Sequence, residues 1–187
     1  MSDAASRDFL QIDWSRLPAP AVDDAARHLP GLAIPEVTLP ATDGSDVSLG
    51  TLRGRTVVYA YPLTGRPGAP LPEGWDEIPG ARGCTPQNCA FRDHHAELLA
   101  AGADRVFGLS TQDPSYQREA AERLHLPFPL LSDAALRLTT ALKLPVMLVE
   151  GAALLKRMAL IIDDGVITHV FYPYFRPTGT PPRCSRG

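Results

Sequence analysis

The run Thr56–Tyr61, TVVYAY, most constrains what this chain can fold into. It is short, β-branched and aromatic, carries no charge and does not alternate, which suits a strand buried on both faces at the centre of a sheet. Such a strand needs cover on each side, and the segments downstream supply it. From Thr85 to about Ala101 the chain reads as helix, with Gly102 as its stop. Arg105–Ser110, RVFGLS, reads as the next strand. Asp113 or Ser115 opens a helix running through Leu124, Phe128–Leu131 is a brief extended piece, and Ala134–Leu142 is a further helix begun at Ser132–Asp133. Met158–Ile162 and Val166–Tyr172 close the pattern as strands joined by Asp163-Asp164-Gly165, the strongest hairpin signal in the chain. The alternation β–α–β–α followed by a hairpin predicts an α/β sandwich with a central mixed sheet flanked by helices.

Ahead of the central run, Pro35–Leu49 gives two short β runs around an Asp-Gly turn, an N-terminal hairpin extension. Residues 1–34, proline-bearing and without a sustained period, read as a surface arm, with a short helix at Asp23–His28. Residues 35–173 form the domain, and residues 174–187 an irregular tail. Pro62–Gly83 is a long Pro- and Gly-bearing loop of the kind that is usually functional, and Trp75 and Ile78 predict that it packs down. A length of 187 residues suits one domain. Hydrophobic content of 44% with 21% charged residues is ordinary for a soluble globular protein, and a net charge of −3 argues against a nucleic-acid partner. No apolar run is long enough to span a membrane. The first residues, MSDAASRDFLQIDW, lack a secretory layout, so a cytoplasmic location is expected. There, few cysteines point to catalysis, metal binding or inert burial rather than a disulfide framework.

Two of the three cysteines lie in Gly80–Asp93, GARGCTPQNCAFRD. Thr85 is a candidate N-cap and Pro86 suits the first helical position. Cys84 then sits just ahead of, or within, the first turn, where unpaired N–H groups and the helix dipole favour an anion such as a thiolate. A helix terminus supplies only about 0.3–1 kcal/mol, up to ~2 when partly buried. A reactive thiolate therefore calls for a nearby cation as well. Cys89 follows five residues later. Residues so spaced on an α-helix are about 8–9 Å apart and point some 140° away from each other. A disulfide needs Cα atoms within about 7 Å, so a Cys84–Cys89 bond requires unwinding of the helix start. Pro86 and Asn88, poor helix-interior residues, would ease that step. The alternative for Cys89 is a small buried core residue.

Other chemistries leave weaker traces. Cys84, Cys89, His94 and His95 could form a metal site, but adjacent histidines on one helix diverge and no second ligand pair has zinc-like spacing. No metal is expected. Gly65-Arg66-Pro67-Gly68 has a proline where a phosphate-binding helix should open, so no nucleotide or flavin cofactor is expected. A thiol–disulfide oxidoreductase would normally carry Cys-x-x-Cys. A redox sensor or a binding module that kept the fold is a further alternative.

From Pro35 to Tyr172 the chain resembles the peroxiredoxins, the alkyl hydroperoxide reductase and thiol-specific antioxidant superfamily. Five pieces carry the likeness: PEVTLPATDGSDVSLGTLRGRTVVYAYP, GCTPQNCAFRD, FGLSTQDP, FPLLSDAALRLTTALKL and LLKRMALIIDDGVITHVF. The second is similar to the Q-type (bacterioferritin-comigratory) subgroup and the last to the type-five subgroup. The resemblance implies a thioredoxin-like fold and thiol peroxidase activity toward hydrogen peroxide or organic hydroperoxides. It places Cys84 at the peroxidatic position, Cys89 at the Q-type resolving position and Arg157 at the active-site arginine. Without the resemblance, Arg157 would read as a surface arginine at a strand end. A thioredoxin-like protein or a small thiol is the implied reductant, for a monomer or homodimer. Resolution by Cys184 or by an external thiol stays open. One departure stands out: Ala81 occupies the place, three residues before the cysteine, where the family carries threonine. Thr64 must then fold back across the long loop or the hydroxyl contact to peroxide is lost.

Overall fold

A computed structural model describes residues 16–173. Its centre is a five-stranded sheet in the order β5-β4-β3-β8-β9, with Thr56–Tyr61 supplying the middle strand as expected. The elements are β1 Thr38–Pro40, β2 Asp46–Ser48, β3 Arg55–Ala60, α1 Cys84–Asp93, α2 His95–Ala100, β4 Arg105–Ser110, α3 Pro114–Arg123, β5 Leu130–Ser132, α4 Arg137–Leu142, β6 Val146–Val149, β7 Ala152–Leu155, β8 Met158–Asp163 and β9 Val166–Phe171. Strand β3 runs parallel to β4 and antiparallel to β8, and β8 turns back into β9, so the sheet is mixed.

Side chains alternate across β3 with the period of two that a strand imposes. Val57, Tyr59 and the following Tyr61 face one cluster, together with Cys84, Val106, Phe128 and Leu130. Val58 and Ala60 face the other, with Leu138 and Leu142 of α4 and with Leu29, Ile34, Leu39 and Leu49. Cys84 is thus packed against one face of the central strand, and that face sets its surroundings.

The structure departs from expectation in several places. The surface arm does not stay on the surface. Ala26, Leu29 and Ile34 enter the core, and Gly31 and Ile34 donate to Ile167 and Gly165 beside β9. Three apolar residues among exposed ones are too sparse to show a period. Asp23–His28 forms turns rather than a helix. The helix expected over Thr85–Ala101 is interrupted at His94, whose backbone (φ −99°, ψ 10°) leaves the helical region. Helix α4 starts later than expected, after Leu136 at φ 55°, and the Asp133 carboxylate accepts from the backbone of Leu138 and Thr139 to secure its start. The hairpin β6–β7 around Glu150-Gly151 was not expected, because each arm is only four apolar residues without alternation. By contrast, Asp113 caps α3, accepting from Ser115 N at 2.8 Å, with Pro114 in the first turn.

Gly108 of β4 has no room for a side chain. A Cβ there would stand 2.5 Å from Leu130 Cδ2 and 2.8 Å from Tyr59 Oη. Gly108→Ala must displace Tyr59 and is expected to cost about 1–3 kcal/mol, read as a thermal midpoint lower by roughly 2–12 °C. A midpoint within a degree of wild type would show that the close approach is relaxed in solution.

Candidate active site

Helix α1 begins at Cys84, and its N-cap is Gly83 at φ 105°, a left-handed conformation suited to glycine. Thr85 is therefore not the cap. It is the second helical residue, and no side chain caps this helix. Cys84 is the first helical residue, only 3% exposed, and its thiol donates to Ala81 O at 3.5 Å. The first turn thus puts the sulfur among backbone N–H groups that have no helical acceptor.

The cation arrives from the start of β8, the strand beside β3. Arg157 lies in the two-residue link between β7 and β8, next to Met158, which pairs with Ala60 at the end of β3. Its Nη2 donates to Cys84 Sγ at 3.3 Å and to the carbonyls of Gly80 (3.3 Å), Ala81 (3.2 Å) and Arg82 (3.0 Å). Its Nη1 donates to Gln87 Oε1, and Gln87 Nε2 donates back to Ala60 O at 3.4 Å. The arginine is 6% exposed, and among the described residues no carboxylate pairs with it. A buried guanidinium held only by neutral dipoles is incompletely compensated, and a negative charge on the sulfur completes it. Neighbouring Lys156 points elsewhere, to Asp23 Oδ2 at 2.9 Å. Hydrogen bonds from Lys156 first, and then from Tyr172, hold the Asp23 carboxyl down at about 2. The adjacent cations therefore separate into an outward ion pair and an inward ligand of sulfur.

Aromatic packing secures the helix from beneath. Tyr59 stacks on Phe91 of α1, with centroids 4.0 Å apart. Its hydroxyl donates to Asn88 Oδ1 at 2.7 Å, and Asn88 Nδ2 donates to Cys84 O at 2.8 Å. Burial pushes the Tyr59 and Tyr61 phenols above their ordinary range, so both stay neutral beside the cysteines. Asn88 was expected to loosen the helix, but this pair of hydrogen bonds pins it. Its low helical propensity is overridden by the contacts.

Cys89 is on the same helix, fully buried and close to Tyr59. Cys84 and Cys89 are not joined in a disulfide. Cys184 lies outside the described residues. His94 pairs with Glu97 at 2.9 Å and His95 lies against the Phe128 ring, so the four groups considered as a metal site do not converge.

The long loop packs down, as Trp75 and Ile78 predicted. Trp75 is buried with Ala81 against Val149 and Leu154 of β6–β7, and Ile78 joins that cluster. Arg123 Nη2 holds Gly65 O at 2.9 Å, and Glu150 accepts from Glu73 N at 3.0 Å. So fixed, the loop walls a narrow cleft over Cys84, lined by Leu63, Gly65, Leu71, Trp75, Arg82, Gly83, Thr85 and Pro86. Thr64 does not line it. It is fully buried, and its hydroxyl donates to Gln112 Oε1 at 3.0 Å. Gln87, Gln112 and Thr85 had not been singled out as site residues by sequence. The i+3 spacing of Gln87 from Cys84 was a usable signal for the first, while only the tertiary contacts reveal the others.

Comparison with known proteins shows which family the chain resembles over most of its length. The Redoxin family model matches residues 29–184. The chain is 36% identical over 149 residues to the chloroplastic peroxiredoxin Q of Oryza sativa subsp. japonica, covering 79% of this chain but only 60% of the rice protein. It is 34% identical over 176 residues to the chloroplastic peroxiredoxin Q of Gentiana triflora, covering 90% of this chain and 73% of that one. Among solved structures, peroxidoxin BcpB from Mycobacterium tuberculosis superposes with a TM-score of 0.60 at 26% identity, covering 77% of this chain and 86% of that one.

Proposed function

The chain belongs to the Redoxin family, among the peroxiredoxins of the Q type, and on that premise we propose that it is a thiol-dependent peroxidase. The single observation that carries this reading is the 3.3 Å contact between the Arg157 guanidinium and Cys84 Sγ at the start of α1. In the proposed step the Cys84 thiolate attacks the terminal oxygen of a hydroperoxide and the O–O bond breaks. Cys84 becomes a sulfenic acid, and the departing oxygen takes a proton to leave as water or an alcohol. Arg157 stays charged throughout and offers a fixed fork of donors, so it holds negative charge as that charge moves from sulfur to oxygen.

Cys89 is proposed as the resolving thiol. It condenses with the sulfenic acid to give a disulfide and water. The helical register of α1 keeps the two sulfurs apart, so the first turns must open. Opening breaks the bonds from Gln87 to Ala60 and from Arg157 to Gln87, and the link from Asn88 to Tyr59. Each cycle then includes a local unfolding step. A thioredoxin-like protein or a small thiol is the proposed reductant, and a monomer or homodimer in the cytoplasm the proposed state.

Mass spectrometry of a single turnover with one equivalent of hydrogen peroxide tests the assignment. Wild type is expected to pass from a singly oxygenated Cys84 to a Cys84–Cys89 disulfide. Cys89→Ser is expected to stop at the sulfenic acid with the first oxidation rate unchanged. A disulfide to Cys184, or a sulfenic acid cleared only by added thiol, would remove Cys89 from the resolving role while leaving Cys84 in its own.

A further inference from the structure

Resting on the peroxidase reading, we propose that the Thr85 hydroxyl is a catalytic donor to the oxygen that leaves when the O–O bond breaks. Two hydroxyl positions that could have served are spent or missing. Ala81 has no hydroxyl, and Thr64 gives its proton to Gln112 Oε1 at 3.0 Å without lining the cleft. Thr85 lines the cleft beside Cys84 and is only 3% exposed, yet it does not cap α1 and makes no hydrogen bond among the described residues. Unlike the enclosed and unpartnered hydroxyl of Ser48, its oxygen keeps some contact with solvent, so it is open to a ligand that enters the cleft.

The other polar side chains of the cleft are less suited. Arg82 is engaged by Asp76 at 2.6 Å. Trp75 carries an N–H but belongs to the loop wall, whereas Thr85 is bonded through the backbone to the reacting residue. Arg157 is placed on the sulfur, so it serves the attacked oxygen best. A second donor is needed where the alkoxide or hydroxide develops as the electron pair of the O–O bond departs. Thr85 donates a hydrogen bond to that oxygen and keeps its own proton. The proton that completes water or alcohol comes from solvent.

The test compares stopped-flow oxidation of wild type, Thr85→Val, Thr85→Ser and Trp75→Phe by hydrogen peroxide, tert-butyl hydroperoxide and peracetic acid. Acetate leaves as a weak base and needs no donor, so it serves as the internal reference. Thr85→Val is expected to slow reaction with the first two oxidants by roughly ten- to a hundredfold and with peracetic acid by less than about threefold. Thr85→Ser should restore the rate, and Trp75→Phe should not reproduce the selective loss with the first two oxidants. Alkylation by iodoacetamide, which reads the thiolate alone, should be the same in all four. A Thr85→Val loss equal for all three oxidants, failure of serine to rescue, or the loss appearing in Trp75→Phe instead would each overturn the proposal. No oxidation of wild type by any of the three would overturn the peroxidase reading itself, a result distinct from wild-type reaction that Thr85→Val leaves unchanged.

Discussion

Cys84→Ser is expected to reduce peroxide consumption to the rate seen without protein, with the fold intact. Serine is nearly the same size, so it fits the same enclosed position at the start of α1. It fails chemically rather than sterically. An alcohol is hardly ionised at neutral pH even beside a guanidinium, and neutral oxygen is a poor nucleophile toward a peroxide. Cys89 is not placed to substitute. It is fully buried on α1 and does not line the cleft over Cys84. The measurement is turnover with hydrogen peroxide and a dithiol reductant, beside a thermal melt to establish folding. A folded serine variant that consumes peroxide at the wild-type rate would end the assignment.

Arg157→Met should produce the second largest effect. Methionine fills much of the arginine stem's space but removes the charge, and several acceptors lose a donor at once: Cys84 Sγ, Gln87 Oε1 and the carbonyls of Gly80, Ala81 and Arg82. Loss of donors to developing negative charge costs about 10²–10³ in rate. The peroxide reaction is expected to slow by that factor, and alkylation at neutral pH to slow with it. Arg157→Lys should fall between, because a single ammonium cannot span the amide of Gln87 and the carbonyls of residues 80–82 together. The variant should also melt earlier, since buried carbonyls left without donors cost about 1–3 kcal/mol each. Alkylation kinetics identical to wild type would show that Arg157 does not hold the sulfur as an anion, and its place would then be purely structural.

How much of this was readable from residues alone depends on the range of the forces involved. The central strand, the terminal hairpin and the Asp113 cap are local patterns, written into periodicity and turn chemistry. They appear where expected. The β6–β7 hairpin hid because each arm is four apolar residues without alternation; Val149 and Leu154 pack against Trp75 and Ala81. The capping role expected of Thr85 followed a local preference that glycine at position 83 displaced. A left-handed residue starts this helix without any side-chain oxygen. Asn88 shows the same limit, since its weak propensity is outweighed by two hydrogen bonds that only the folded chain can offer.

The amino-acid sequence by itself determined an α/β chain with a cysteine at a helix start, because helix signals and strand periods act over a few residues. It also carried Arg157 as a matching position. Tertiary structure alone decided that this guanidinium, 73 residues away, is buried, with no carboxylate partner among the described residues, and reaches the sulfur. It likewise decided that Thr64 turns to Gln112 while Thr85 is left to the cleft. The physical reason is that sheet register and loop packing bring these groups together across long stretches of chain, and no local preference encodes which polar atoms are then satisfied and which are left for a substrate.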